Sequence, residues 1–362
     1  MGLCQGKELR FMASKPVIKL DTSAKSVAAP PPPRPPQASS PTTIVQSPPT
    51  PQPKELVPPA RRTSVAKANE HLLLLLPPSD PILDDMDFLD APDHIATSIE
   101  VSNLPENARP IRHVAALAVQ NKSFKPHMED ECIVTPVHSH DEAHPRLQLY
   151  AVYDGHGGGF VSKYLAKRLH HAVMQHFSQH EDVEAALTES FKTVDVELEA
   201  LEDADRCGST AVVFAAAGSR VWIANVGDSH CLHISNTTCS RVTQDHHVRN
   251  SDEVNRIKAK RGIIVNQRVS GVSKVTRAFG QNDEKDFIIS SPAITTLEVK
   301  DDAVFVLMSD GVSDVLSDDE IASIVRRGLS AGWTLALICR SLIDICKLKR
   351  AGDNMSVILV QI

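Results

Sequence analysis

The sequence predicts an α+β domain in which two mainly antiparallel sheets stack face to face and helices cover their outer faces. Two observations carry the expectation. Short apolar runs and longer stretches of helical spacing follow one another as strands, two helices, strands, two helices and a closing strand. Of the 24 prolines among 362 residues, 18 fall within the first 92, and proline, which lacks a backbone N–H, keeps regular helix and central strand out of that stretch. The folded domain is therefore expected over 105–362, within the usual single-domain range, behind a disordered tail over 1–95.

Each element has its own signal. A strand is expected over 114–119, a polar loop over 121–130 and a second strand over 132–134. Tyr150, Ala151, Val152 and Tyr153 suit a buried strand, because β-branched and aromatic side chains pack well on a pleated surface. After the glycine run 155–159, Val161, Leu165, Leu169, Val173 and Phe177 recur at helical spacing, and helices are expected over 160–180 and 181–201. Three apolar runs, 210–216, 220–226 and 231–234, are separated by Gly218 and by Gly227, Asp228 and Ser229, which predicts an antiparallel meander. A helix over 251–261 would be closed by Gly262 as its cap. A strand is expected over 304–308. Ser317 and Glu320 have the spacing of a capping box opening a helix to about residue 327, so Asp318, Asp319 and Glu320 read as helix-start charges. A last helix over 334–347 precedes a strand over 355–362.

Charge divides the chain where proline does. Residues 1–70 hold ten Lys and Arg against four Asp and Glu, whereas the remainder holds 28 against 41. An acidic body with no basic stripe and no interleaved aromatics excludes nucleic acid as its partner. Seven cysteines, odd in number and without a CxxC pair, read as small buried apolar residues of a reduced, cytoplasmic protein. The apolar run 72–76, like every other in the chain, is far shorter than the roughly 20 residues a membrane-spanning helix needs.

Within the tail, Gly2 follows the initiator methionine and matches an N-myristoylation signal in part, Gly6 standing where Ser or Thr is usual. Cys4 as a palmitoylation site, with Lys7, Arg10, Lys15 and Lys19 facing anionic lipid, would supply the second signal that stable anchoring to a membrane surface needs. The stretch 30–36 favours polyproline II, a spacer or a ligand for a proline-rich-motif reader. Residues 72–95 mix acidic and apolar positions, as a partner-docking segment does, or a strip packing on the chain's own domain.

Five places put an acid at the edge of an apolar strand: Glu129 with Asp130, Asp154, Asp228, Asp310 and Asp353. Buried strands would gather these acids near one end of the sheets. Each alone reads as a turn residue, since Asp-Gly is a common turn pair. Five in one domain favour a shared task, because clustered like charges repel unless cations neutralise them. All-oxygen ligands point to Mg²⁺ or Mn²⁺ rather than Zn²⁺. His156, beside Asp154, suits proton transfer near neutral pH.

The domain resembles the metal-dependent Ser/Thr protein phosphatases of type 2C from about residue 112 to 362. The resemblance rests on MED at 128–130, YAVYDGHGG at 150–158, CGSTAV at 207–212, IANVGDSH at 223–230, TQDH at 243–246, TRAFG at 276–280, SDGVSD at 309–314 and GDNMSV at 352–357. It implies an α-β-β-α sandwich with a dinuclear metal centre between the sheets. Asp154 would bridge two Mg²⁺ or Mn²⁺ ions, Asp310 and Asp353 would complete the first site, and the Gly155 carbonyl and Glu129 would serve the second. Asp130 would orient metal-bound water, and Asp228 would help hold a third ion. The same resemblance makes His156 the general acid toward the leaving oxygen of a phosphoprotein, metal-bound hydroxide being the nucleophile.

Four departures qualify it. Lys125 replaces the arginine that grips the substrate phosphate, keeping the charge but losing the bidentate fork, so weaker substrate binding is expected. His230 replaces an arginine, and Gln281 an acid. Val312 and Ser313 replace a Leu-Trp pair, a change of packing. The competing expectation is a pseudophosphatase, the same fold kept as a binding module; the presence of every metal acid favours the enzyme.

Overall fold

The computed structural model describes residues 95–101, through their backbone, and 111–135, 147–299 and 303–362. The expectations on Gly2, Cys4, the proline-rich stretch and the acidic-apolar segment lie outside the described residues. Two antiparallel sheets form the centre. One runs β1 (Ile95–Val101), β2 (His113–Val119), β16 (Met355–Gln361), β15 (Val304–Met308), β9 (His230–Ile234), β10 (Cys239–Arg241). The other runs β14 (Ala293–Glu298), β8 (Arg220–Val226), β7 (Ala211–Ala217), β4 (Gln148–Tyr153), β3 (Glu131–Val134).

Strand alternation builds the layers. Successive side chains of a strand point to opposite faces, and here both faces are apolar because both are covered. In β2, Val114, Ala116 and Ala118 point between the sheets, while Ala115, Leu117 and Val119 point outward. β15 repeats this with Phe305 and Leu307 inward and Val304, Val306 and Met308 outward. From the opposing sheet, Tyr150, Val152, Val212 and Phe214 meet them, with the Phe214 and Phe305 rings edge to face at 5.2 Å. The helices α1 (Phe160–His180) and α2 (Val183–Glu199) cover one outer face through Leu165, Leu169, Leu187 and Phe191. On the other outer face lie α5 (Asp318–Ser330) and α6 (Leu335–Leu348), through Ile321, Val325, Ile338 and Leu342. This is the expected α-β-β-α sandwich.

The capping box opens α5 as its spacing predicts: Ser317 N–H donates to Glu320 Oε2 at 2.8 Å, and Glu320 N–H donates to Ser317 Oγ at 3.3 Å. Ser317→Ala is expected to cost about 1 kcal/mol, read as a fall of about 2–4 °C in melting temperature; an unchanged melt would show the box adds nothing here.

Three expectations are corrected. The meander over 210–234 breaks after β8, whose neighbours are β7 and β14, while β9 joins the other sheet beside β15. The reason lies in the connection. Gly227 has φ +89°, and a Cβ there would meet Thr210 Cγ2 at 2.5 Å, so Gly227, Asp228 and Ser229 carry the chain across from one sheet to the other and are no hairpin turn. The short helix α3 (Ser251–Ala259) ends with Arg261, not Gly262, in the left-handed region at φ +63°, its N–H donating to Lys258 O and that of Gly262 to Ile257 O. Gly262 is needed for space, since a Cβ would lie 2.6 Å from Ile257 Cγ2. Finally, β1 pairs with β2 ahead of the expected domain start at residue 105.

Candidate active site

Both sheets deliver carboxylates to one end. Asp154 follows the fully buried β4, and its N–H donates to Thr210 Oγ1 at 3.3 Å. Asp310 opens α4 (Asp310–Ser313) directly after β15, and its N–H donates to Asp154 Oδ2 at 3.4 Å. Asp353 precedes β16, the neighbour of β15, while Asp130 precedes β3. Asp130 is 2 % exposed and its Oδ2 accepts from Ser356 Oγ at 2.8 Å, a bond that ties the loop before β3 to the opposite sheet.

Gly155 and His156 form the short strand β5, paired with β6 (Gly208–Ser209), which pairs in turn with β13 (Phe279–Gly280). A Cβ at Gly155 would collide with the Glu129 carbonyl, so only glycine lets the Asp154 strand pass this close to the Glu129 loop. Ser162, from α1, donates to the same carbonyl.

The electrostatics are those of crowded anions. Burial, then Asp310, Asp130, Asp228 and Asp353, push Asp154 well above the usual carboxylate range. Burial pushes Asp130 to about 7 despite hydroxyls from Ser356 and Ser309, and burial with Asp310 pushes Asp228 to about 7. Asp310 is raised by burial, Asp353 and Asp314. Burial lowers Lys125, but Asp353 outweighs it through a 2.7 Å ion pair, and Glu129 and Asp154 add to the rise.

These residues fit a hard divalent cation by their donor set, an all-oxygen collection whose charges are mutually destabilised when bare. Among the described residues no three His, Cys, Asp or Glu side chains close on one point as they stand. Lys125 is paired with one of these acids. Its Nζ and the Asn354 N–H both hold Asp353 Oδ1, so Oδ2 is the oxygen left for an ion.

His156 Nε2 donates to Gln281 Oε1 at 2.7 Å in the tautomer that bond requires. Burial lowers its pKa below the ordinary 6.5, and the Gln281 bond restores only part of the loss. Gln281 is thus the partner of His156, a role its place after the TRAFG motif could have suggested. His230, where an arginine was expected, lies 2.7 Å from Asp245 Oδ1, and Asp245 is held below the usual range because His230 and Arg241 outweigh its burial. Glu253, which sequence reasoning passed over, is 2 % exposed and binds Arg277, Arg256 and Thr276. Six cysteines are described, five of them buried. No helix among the described residues is long and apolar enough to cross a membrane.

Comparison with known proteins places this arrangement. Residues 116–355 match the family described as protein phosphatase 2C. Protein phosphatase 1A of Homo sapiens is 32% identical over 239 residues, covering 59% of this chain and 62% of that protein. Probable protein phosphatase 2C 76 of Arabidopsis thaliana is 32% identical over 219 residues, covering 59% of this chain and 51% of its own length. The match thus spans about half to three-fifths of these relatives. Among solved structures, a serine-threonine phosphatase 2C from Toxoplasma gondii superposes with a TM-score of 0.60 at 20% identity, over 73% of this chain and 98% of that one, a likeness of fold. With the family's pattern matched across both sheets and all the carboxylate-bearing turns, this chain belongs to the protein phosphatase 2C family.

Proposed function

We propose that the protein is a metal-dependent serine/threonine phosphatase acting on phosphoproteins. The observation that carries the reading is the gathering of Asp130, Asp154, Asp228, Asp310 and Asp353 at one end of the sandwich, each near enough to another to disturb its ionisation. A fold loses stability by such crowding unless a bound cation relieves it. Asp154, Asp310 and Asp353 would hold one Mg²⁺ or Mn²⁺ ion, Asp154, Glu129 and the Gly155 carbonyl a second, with Asp228 serving a third. When bound, such ions supply Lewis acidity toward the phosphoryl group and a water that ionises near neutral pH.

The chain's own groups do the rest. Lys125 is a single point charge aimed into the cluster, able to hold a phosphoryl oxygen once its pair with Asp353 loosens. Asp130, anchored by Ser356, accepts a proton or a water hydrogen at its carboxylate. His156 donates toward the leaving oxygen when protonated, and Gln281 sets its orientation. Six thiols fit a cytoplasmic, reducing compartment, and acylation at Gly2 and Cys4 with membrane attachment remains part of the proposal through sequence alone.

The test is hydrolysis of a phosphothreonine peptide by the full chain with Mn²⁺, with Mg²⁺ and in excess EDTA. Turnover that requires the ion supports the reading. A folded chain that binds Mn²⁺ without turnover sinks it and leaves a binding module. Lys125→Arg restores the bidentate fork and is expected to lower KM about three- to tenfold with kcat little changed. Gln281→Glu places a carboxylate against His156, raising its pKa, so the basic limb of the pH–rate profile is expected to move to higher pH; an unmoved limb would remove His156 from the role of acid.

A further inference from the structure

Beside the carboxylate cluster lies an open cleft of about 370 Å³, within the range of small-molecule sites and larger than a phosphoryl group requires. Its lining carries both charges. Asp228, Asp245, Asp310 and Asp314 line it together with Arg249, Arg268 and Lys274, and Lys274 offsets part of the rise at Asp310. The two arginines come from the segment after Asp245 and from a hairpin of β11 (Ile264–Val265) and β12 (Arg268–Val269).

Neither of these guanidinium groups is paired with a carboxylate among the described residues. Arg268 Nη1 donates to the Val272 carbonyl at 2.7 Å, with no carboxylate beside it, and Arg249 is exposed with no ion pair. Four other arginines of the domain are committed to carboxylates: Arg168 is tied to Glu197, Arg241 to Asp318, and Arg256 and Arg277 to Glu253. An arginine without a carboxylate partner at a cleft keeps its charge and its remaining N–H donors for an incoming anion. The hairpin that presents Arg268 is also held in a costly shape. Its two turn residues, Asn266 and Gln267, have φ +50° and +59° and line the same cleft, and a left-handed glutamine costs about 1 kcal/mol.

We propose that Arg249 and Arg268 form a specificity subsite for an anionic side chain, carboxylate or phosphoryl, that flanks the phosphorylated residue of a peptide substrate. The proposal rests on the phosphatase reading for its substrate and on the cleft for its geometry. With the scissile phosphoryl group held at the proposed metal centre, a neighbouring residue of the same peptide would reach the arginines that line the same cleft. Acidic flanks are attracted there and basic flanks repelled, so selection is expected chiefly in KM.

The test uses the full chain with Mn²⁺ and phosphothreonine peptides with neutral, Asp-containing, Lys-containing or additionally phosphorylated flanks, on either side of the phosphothreonine. Turnover is measured on these. Binding is measured by fluorescence anisotropy on matching peptides carrying a non-hydrolysable phosphonate. Acidic-flank peptides are expected to bind about five- to tenfold tighter than neutral ones, two partly exposed charge pairs being worth that much. In Arg249→Gln/Arg268→Gln the ratio should fall to about one, and in Arg249→Glu/Arg268→Glu it should invert toward Lys flanks. The Asp and phosphoryl arms tell which anion is preferred. Equal binding of acidic and neutral peptides by the unaltered chain overturns the subsite, as does a preference that survives both double substitutions. Selective binding without turnover of any peptide leaves the subsite standing and removes the phosphatase reading.

Discussion

Asp154→Asn is expected to abolish turnover and, in EDTA at pH 8, to make the protein more stable. Asp154 sits where burial and four other carboxylates all oppose its charge. The sign follows from proton linkage. Asp130 and Asp228 titrate near 7 in the folded chain, against roughly 3.9 when unfolded. Between those values the folded state binds more protons, so metal-free stability falls as pH rises from about 4 through 7. Removing one charge relieves the repulsion only where the carboxylates are ionised. The gain is about 2 kcal/mol at pH 8 after allowing for the cleft's contact with water, and it vanishes near pH 5. Mn²⁺ should stabilise the unaltered chain in the same pH order, strongly at 8 and weakly at 5, and should do little for the variant. Loss of the carboxylate proposed to hold both ions would remove several kcal/mol of transition-state stabilisation, a fall of about a thousandfold or more in kcat/KM. Melting curves at pH 5 and 8, with and without Mn²⁺, decide the matter: a metal-free variant melting below its parent at pH 8 would show that crowding is not what the cation relieves.

How far the site could be read in the sequence depends on which groups make their own signal. Asp154, Asp310 and Asp353 stand at the ends of apolar strands, and an acid closing a buried run is visible in one dimension, so their convergence follows once those strands share an end. The layers were legible for the same reason, since β2, β4, β7, β15 and β16 are apolar on alternate residues of both faces. Strand partnership was not. β8 and β9 are separated by three turn residues, and nothing local distinguishes a hairpin from a crossing between sheets; the decision rests on Thr210 beside Gly227 and on β14, which arrives some 70 residues later to pair with β8. Contacts between side chains distant in sequence were equally hidden. Lys125 with Asp353, His156 with Gln281 and Ser356 with Asp130 each join residues more than 100 apart.

Glu253→Gln is expected to cause a large loss of stability at a site outside the carboxylate cluster. Its carboxylate, 2 % exposed, accepts from Arg277 Nε and Nη2 at 3.0 and 2.6 Å, from Arg256 Nη2 at 2.8 Å and from Thr276 Oγ1 at 2.9 Å. Burial alone would raise its pKa, but the two arginines outweigh that and hold it at about 2. A folded value below the unfolded one means stability that is present above about pH 4 and lost as pH falls toward 2. Glutamine keeps the shape and removes the charge, stranding two guanidinium groups that are one-fifth exposed. The cost is about 3 kcal/mol, a drop of roughly 6–12 °C in melting temperature. The effect reaches the site because Arg277 belongs to the segment that runs through β13 to Gln281, the partner of His156. Slackening that segment should widen the pH–rate profile's basic limb as well as lower kcat. Arg277→Met added to Glu253→Gln removes one stranded charge, so the double variant should melt above the sum of the two single losses. Strict additivity would mean that Glu253 and Arg277 act independently, and that the bond between them is not what holds the segment.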